Sequence, residues 1–179
     1  MQRSGVDDAH LVTRARAGRT DAFEELVRRH RDRVHRVALR MLGDPREAED
    51  VTQDVFLQVW RSLDRFRGDS AFTTWLHRIT VNRCLNVQRA RRPVEPLDTD
   101  RPSRDPAVEA AVESRLELDD VRHAIARLTP EQRAPLVLRE LEGCTYEELA
   151  EILDCSVSAV RSRLHRARIE LLNAVRGWR

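Results

Sequence analysis

The chain has 179 residues, 41% of them hydrophobic, which suffices for one large domain or two small ones. Its longest apolar runs are only a few residues, which excludes a membrane-spanning helix, and the polar, acidic stretch Met1–Asp8 lacks the apolar core of a secretory signal. A cytoplasmic protein without direct membrane insertion is therefore expected, its formal net charge of +2 arising from 32 arginines, no lysine and 30 acids.

Helical punctuation dominates the chain from its first third. Asp21 followed by Glu24 has the spacing of a capping box, and Phe23, Leu26, Val27, Val34, Val37, Ala38, Met41 and Leu42 then recur at helical spacing. Gly43 is placed to end that helix, and Asp44-Pro45 to start the next with proline at its first position. In the helix expected from about Glu47 to Leu63, Ala48, Val51, Val55, Val59 and Leu63 make the buried stripe. Leu57 lies opposite that stripe, ringed by Asp50, Gln53, Asp54 and Trp60. Helix geometry leaves two readings of it open: a scattered surface residue, or the centre of a docking face for another protein.

A glycine-containing loop, Phe66 to Ala71, then leads into a helical pattern from about Phe72 to Arg92. Phe72, Trp75, Leu76 and Ile79 read mostly as core. The loop and a polar stripe of Arg78, Asn82 and Arg89, with Asn86 close by, are where unstacked bases would be met, because asparagine and arginine hydrogen-bond base edges. From Pro93 to Pro106 there are four of the seven prolines and no aromatic residue, a composition that cannot offset its ordering entropy and reads as a linker.

Helical periodicity resumes near Val112 with Leu116, Val121, Ile125 and Leu128. Thr129-Pro130-Glu131-Gln132 supplies an N-cap, a first-position proline and a capping glutamine, while Pro135 forfeits a backbone hydrogen bond and should kink that helix. After Gly143, Thr145 and Glu148 form another capping box, opening a short helix with Leu149, Ala150 and Leu153 inward. Asp154-Cys155-Ser156 makes a tight turn, with Ser156 placed to cap the next helix. There Val157, Val160, Leu164, Ala167 and Leu171 form the buried stripe. Ser158, Ser162, His165 and Arg166 lie opposite, flanked by Arg161, Arg163 and Arg168. This is a helix-turn-helix pattern, whose second helix suits the DNA major groove; its alternative is an amphipathic helix with a basic solvent face.

Charge is segregated along the chain. Arg65–Arg92 holds seven arginines and one acid, Pro93–Glu117 three arginines and seven acids, and Cys155–Arg179 six arginines against Glu170. Two basic blocks around an acidic spacer suit two nucleic-acid contacts, or two solvated helical faces. Cys84, Cys144 and Cys155 form no CxxC pair and have no histidine at zinc-ligand spacing, so reduced, partly buried thiols are expected, with no metal and no cofactor. The acids are dispersed along helix faces rather than clustered, which argues against a nuclease or other enzyme. The expected fold is all-α: two small bundles over 1–92 and 112–179, the second a helix-turn-helix domain, joined by a flexible acidic linker over 93–111.

Taken in order, these segments resemble the extracytoplasmic-function group of sigma-70 factors, from about Ala9 to Leu172. Ala22–Trp60, including AEDVTQDVFLQVW, is similar to regions 2.1 and 2.2; FRGDSAFTTWLHRITVNRCLNVQRARR to regions 2.3 and 2.4; and LTPEQRAPLVLRELEGCTYEELAEILDCSVSAVRSRLHRARIELL to region 4. The resemblance implies core RNA polymerase and promoter DNA as partners, an anti-sigma protein as regulator, and no catalysis. It places Asp50, Gln53, Asp54, Leu57 and Trp60 on the clamp helices of the beta-prime subunit, with the beta flap as a further polymerase contact. It assigns the −10 element to Asp69, Ser70, Thr73, Thr74, Arg78, Asn82 and Asn86, and the −35 element to Ser158, Arg161, Ser162, His165 and Arg166. Many relatives carry aspartate where this chain has Asn86, and glycine-threonine where it has Ser158-Ala159, so its promoter preference is its own. A stand-alone repressor using the helix-turn-helix would leave the N-terminal half without a purpose.

Overall fold

The computed structural model describes residues 3–91 and 123–176, and among these every element is helical, in agreement with the all-α expectation. Helices α1 (Arg3–Arg16), α2 (Thr20–Leu42), α3 (Pro45–Ser62) and α4 (Phe72–Ala90), with a 3-10 turn at Leu63–Arg65, build the first sub-bundle. A helical turn over 123–127 precedes α5 (Pro130–Glu142), α6 (Tyr146–Ile152) and α7 (Val157–Arg176), which build the second. The linker expected over 93–111, and residues 112–122 of the expected second domain, lie outside the described residues.

Local chemistry explains most boundaries. Gly43 takes the left-handed conformation (φ +76°) that closes α2, its N–H donating to the Leu39 carbonyl at 2.8 Å. The Asp44 carboxylate then caps α3, accepting from the backbone N–H of Arg46 (2.8 Å) and Glu47 (3.1 Å). At α5 the Gln132 Oε1 accepts from both the Thr129 N–H (3.1 Å) and its hydroxyl (2.8 Å). Thr145 and Glu148 exchange the reciprocal bonds of a capping box at α6. Pro135 is buried within α5, whose helical assignment runs unbroken across it.

Two features differ from the sequence-based expectation. The Asp21–Glu24 box does not form: α2 already starts at Thr20, and the Asp21 carboxylate is taken by Arg14 (2.6 Å) and Arg19 (3.2 Å). Helix α1 is signalled only weakly; among its residues whose burial is described, the buried apolar ones are Leu11, Val12 and Ala15. It is further fastened by buried Asp8, whose carboxylate meets His30 of α2 at 2.8 Å.

The core of the first sub-bundle is built from Leu26, Val34, Val37 and Met41 of α2, Val51, Val55 and Val59 of α3, and Leu76 of α4. That of the second uses Leu138, Leu149, Ile152, Val160 and Leu164. The two cores are continuous, with α5 packed against α2 and α6 against α4.

Candidate nucleic-acid interface

The α3 stripe buries Ala48, Val51, Val55 and Val59, which turns Leu57 and Trp60 outward at 53% and 43% exposure. Asp50 and Gln53 are exposed beside them. Asp54 is half-buried and paired with Arg83 of α4, so part of the acidic rim is already neutralised. The Trp60 ring leans on Phe23 of α2 with centroids 4.8 Å apart, fixing its indole at the surface. A shallow groove lined by Leu57, Gln58, Arg61, Arg65 and Arg83 runs alongside. The result is a rigid apolar knob with a mixed polar rim, the form of a protein-docking face. The sequence pattern located the knob, but the Arg83–Asp54 pair needed the tertiary structure.

Phe66, Phe72 and Trp75 form an aromatic cluster, with Phe66 and Phe72 edge-to-face at 6.0 Å and Phe66 and Trp75 at 5.1 Å. Phe66 and Phe72 are buried and Trp75 half-buried, so they make a floor beneath the loop, with Phe72 in the core as expected and Trp75 only partly so. Above it Arg67, Gly68 and Asp69 are exposed and Ser70 half-buried, with Gly68 at φ +80° shaping the turn. Thr73 is half-buried and Thr74 buried, so the Thr74 side chain lies in the packing of α4 rather than on its surface. Arg78, Asn82 and Asn86 are exposed, spaced by four residues along one stripe, with Arg89 beyond. Arg78 and Arg89 have no acidic partner among the described residues, whereas Arg83 is paired with Asp54 and Arg91 with Glu47. Of the α4 arginines, those on the stripe are thus the ones without an acidic partner among the described residues.

On α7, Val160, Leu164 and Ala167 are buried, and Ser158, Arg161, Ser162, His165 and Arg166 are all exposed. The Ser156 hydroxyl accepts from the Ala159 N–H at 3.2 Å, the expected cap, and lies 2.9 Å from the Ser158 hydroxyl. Arg161 sits over the Tyr146 ring (5.5 Å), which orients its guanidinium without neutralising it. Among the described residues Arg166 bonds only the Ser162 carbonyl of its own helix (3.3 Å), while Arg168 is paired with Glu140 (3.2 Å) and Arg163 reaches the Cys155 sulfur. Two guanidiniums on this face therefore keep their forks for guanine edges or phosphates.

The structure also assembles polar groups that sequence patterning did not single out. The Glu142 side chain, 1% exposed at the end of α5, meets Arg33 at 2.7 Å and Arg36 at 3.3 Å, both on α2. His77 of α4 lies 3.9 Å from the same carboxylate through Nε2, and its Nδ1 faces the Cys144 sulfur at 3.8 Å. Burial, then the charges of Arg33 and His30, push the His77 pKa down to about 4. The Glu142 carboxylate would favour a proton on that ring, but it is already engaged by Arg33 and Arg36. Burial first, with Glu148 and Glu142 adding to it, raises the Cys144 thiol to about 12; Cys84 is raised to about 12 by burial alone. All three cysteines are free, and burial keeps the Cys84 and Cys144 thiols protonated. Arg133 of α5 is buried, and donates to the carbonyls of Met41 (2.6 Å), Leu128 (2.9 Å) and Ala126.

The sequence matches the family descriptions "Sigma-70 region 2" over residues 26–93 and "Sigma-70, region 4" over residues 118–171. It is 37% identical over 182 residues to the ECF RNA polymerase sigma-E factor of Escherichia coli K12, covering 95% of each chain. Its fold is similar to that of CnrH in complex with the cytosolic domain of CnrY, with a TM-score of 0.75 and 30% identity over 96% of this chain and 98% of that one. The sigma factor RpoE in complex with the anti-sigma factor NepR from Bartonella quintana shares the fold at a TM-score of 0.67 and 23% identity, over 86% of this chain and 96% of that one.

Proposed function

Because the chain belongs to the extracytoplasmic-function group of sigma-70 factors, we propose that it reads two promoter elements with two separate faces while docked on polymerase by a third. Binding RNA polymerase and recognising promoters follow from the family itself, and that role is non-catalytic. The finer assignment goes further. Leu57 and Trp60, with Asp50, Gln53 and Asp54, dock on the beta-prime clamp helices. Asp69, Ser70, Thr73 and the Arg78–Asn82–Asn86 stripe engage the −10 element and hold a base unstacked by melting; Thr74 supports that surface from beneath. Ser158, Arg161, Ser162, His165 and Arg166 read the −35 element from the major groove. The beta flap is a further contact of the second sub-bundle.

The observation that carries this reading is the α7 face, on which all five residues are exposed and, among the described residues, none is paired with a carboxylate. Such a face attracts phosphate and leaves hydrogen-bonding groups for base edges. The apolar knob on α3 supports polymerase docking in the same way, since an exposed leucine and tryptophan side by side lose water profitably only against a partner. An anti-sigma protein that covers this knob and competes with the clamp helices is the regulator this reading implies.

Co-purification with core polymerase tests the docking face. Leu57→Asp is expected to abolish it while circular dichroism shows unchanged helical content; retained binding would reject the face. Run-off transcription on templates altered separately in each element then tests reading, and equal activity on all templates would reject the two-element assignment.

A further inference from the structure

The loop that carries Asp69 and Ser70 is bounded by two aromatic residues, Phe66 and Phe72, and both are tied to helix α1. At the entry, Arg16 of α1 reaches the carbonyls of Phe66 (3.5 Å) and Asp64 (3.4 Å). At the exit, the Phe72 ring packs on the His30 ring with centroids 5.4 Å apart. His30 Nε2 in turn lies 2.8 Å from the carboxylate of Asp8 on α1, whose other oxygen faces Arg29 at 3.4 Å. Asp8 and His30 are both buried, so solvent barely competes for their bond. Asp8, Val12 and Arg16 follow at intervals of four and share one face of α1, with Leu11 and Ala15 beside them in the core. Eight residues of helix span about 12 Å, so a single helix face touches both ends of the loop.

Local chemistry does not fix the start of α4, the helix that receives this loop. Ala71 stands at its N-cap, and among the described residues no side chain caps its first N–H groups. The start is set instead by the burial of Phe72 among His30, Phe66 and Trp75. A carboxylate in such a core is costly, and an apolar side chain of similar volume would serve stability as well. What the hydrogen bond adds is direction, since it holds the imidazole at one angle where apolar contact tolerates several.

On the reading of this loop as a −10 contact, we propose that Asp8, through His30, and Arg16 are positioning residues for base capture. Helix α1 braces the loop from both ends, acting through Phe72 and Phe66, and keeps it in the form that receives an unstacked base. A loop that spends less time in that form captures the base with an affinity reduced by its competent fraction.

Base capture by the full-length protein assembled with core polymerase tests this, on a promoter active in run-off transcription that carries 2-aminopurine at successive −10 positions. Asp8→Leu/His30→Leu removes the bond and the ring contact but leaves the space filled by apolar side chains. The double variant is expected to keep its helical content, thermal midpoint, co-purification with polymerase and discrimination between −35 variants. Its fluorescence rise should need roughly tenfold more complex, if the competent fraction falls to about a tenth. Asp8→Asn, which keeps a hydrogen-bonding atom facing Nε2, should capture as the wild type does. A stable double variant with unaltered capture would overturn the brace, and so would equal losses at −10 and −35, which mark a purely structural role. Should the double variant not fold, Arg16→Ala, at an exposed position, carries the test: weakened capture with intact −35 discrimination supports the brace, and unchanged capture rejects it. Wild-type complex without a fluorescence signal at any −10 position would instead reject the −10 reading on which the brace rests.

Discussion

Arginine is the only long cation in this chain, so what distinguishes one arginine from another is its partner. Arg168 is paired with Glu140 and Arg83 with Asp54, while Arg166 keeps a free fork. If that fork bonds both acceptors of a guanine, Arg166→Ala should weaken −35-dependent initiation by roughly 1–3 kcal/mol at one base position. A uniform loss across promoter variants, measured by run-off transcription, would make it a phosphate contact. His77 differs in kind, since burial holds it neutral with its pKa near 4, against 6.5 when exposed. The unfolded chain therefore binds the additional proton between those values, and stability rises with pH through that window. The contribution is complete above about pH 6.5 and is lost as pH falls towards 4, by on the order of 3 kcal/mol. His77→Gln should flatten that part of the stability curve in denaturant titrations at successive pH values; an unaltered slope would show that other groups dominate it.

At the scale of the element, function depends on where helices start. Helix α6 has only seven residues and is too short to persist without its ends satisfied. The Thr145–Glu148 exchange caps its N-terminus and the Leu153 N–H closes its last turn on the Leu149 carbonyl, and α6 in turn sets Tyr146 beneath Arg161. Thr145→Ala is expected to cost about 1 kcal/mol, seen as a lower thermal midpoint. Its effect on −35 reading should exceed that of Asp44→Ala, which removes the α3 cap far from the recognition helix. Equal effects of the two on −35 reading would mean that α7 is positioned by core packing alone. Such caps are legible in sequence because donor and acceptor are three residues apart. The false box at Asp21–Glu24 has the same spacing, and fails because Arg14 and Arg19 compete for the carboxylate.

For the molecule as a whole, charge segregation sets how promoter binding responds to salt. Each arginine that neutralises a phosphate releases counterions, so affinity falls steeply as salt rises. Replacing Arg78 by Ala should shallow the slope of log affinity against log salt by about one for the polymerase complex, if it contacts phosphate. An unchanged slope with lost affinity would instead mark a base contact. Arg83→Ala offers the contrast, because that cation already serves Asp54 and should leave the slope where it was.

The sequence by itself determined the helical fold, the buried stripes, most caps, and the outward turn of Leu57 and of the α7 face. All of these rest on periodicity and on neighbours within four residues. Only the tertiary structure decided which cations remain available, that Thr74 is buried, and that Glu142, Arg33, Arg36 and His77 converge. Glu142 and Arg33 are more than a hundred positions apart, and no local spacing encodes a pairing created when α5 packs on α2. Local order is written in the chain at short range, whereas charge pairing across a fold exists only once the fold has closed.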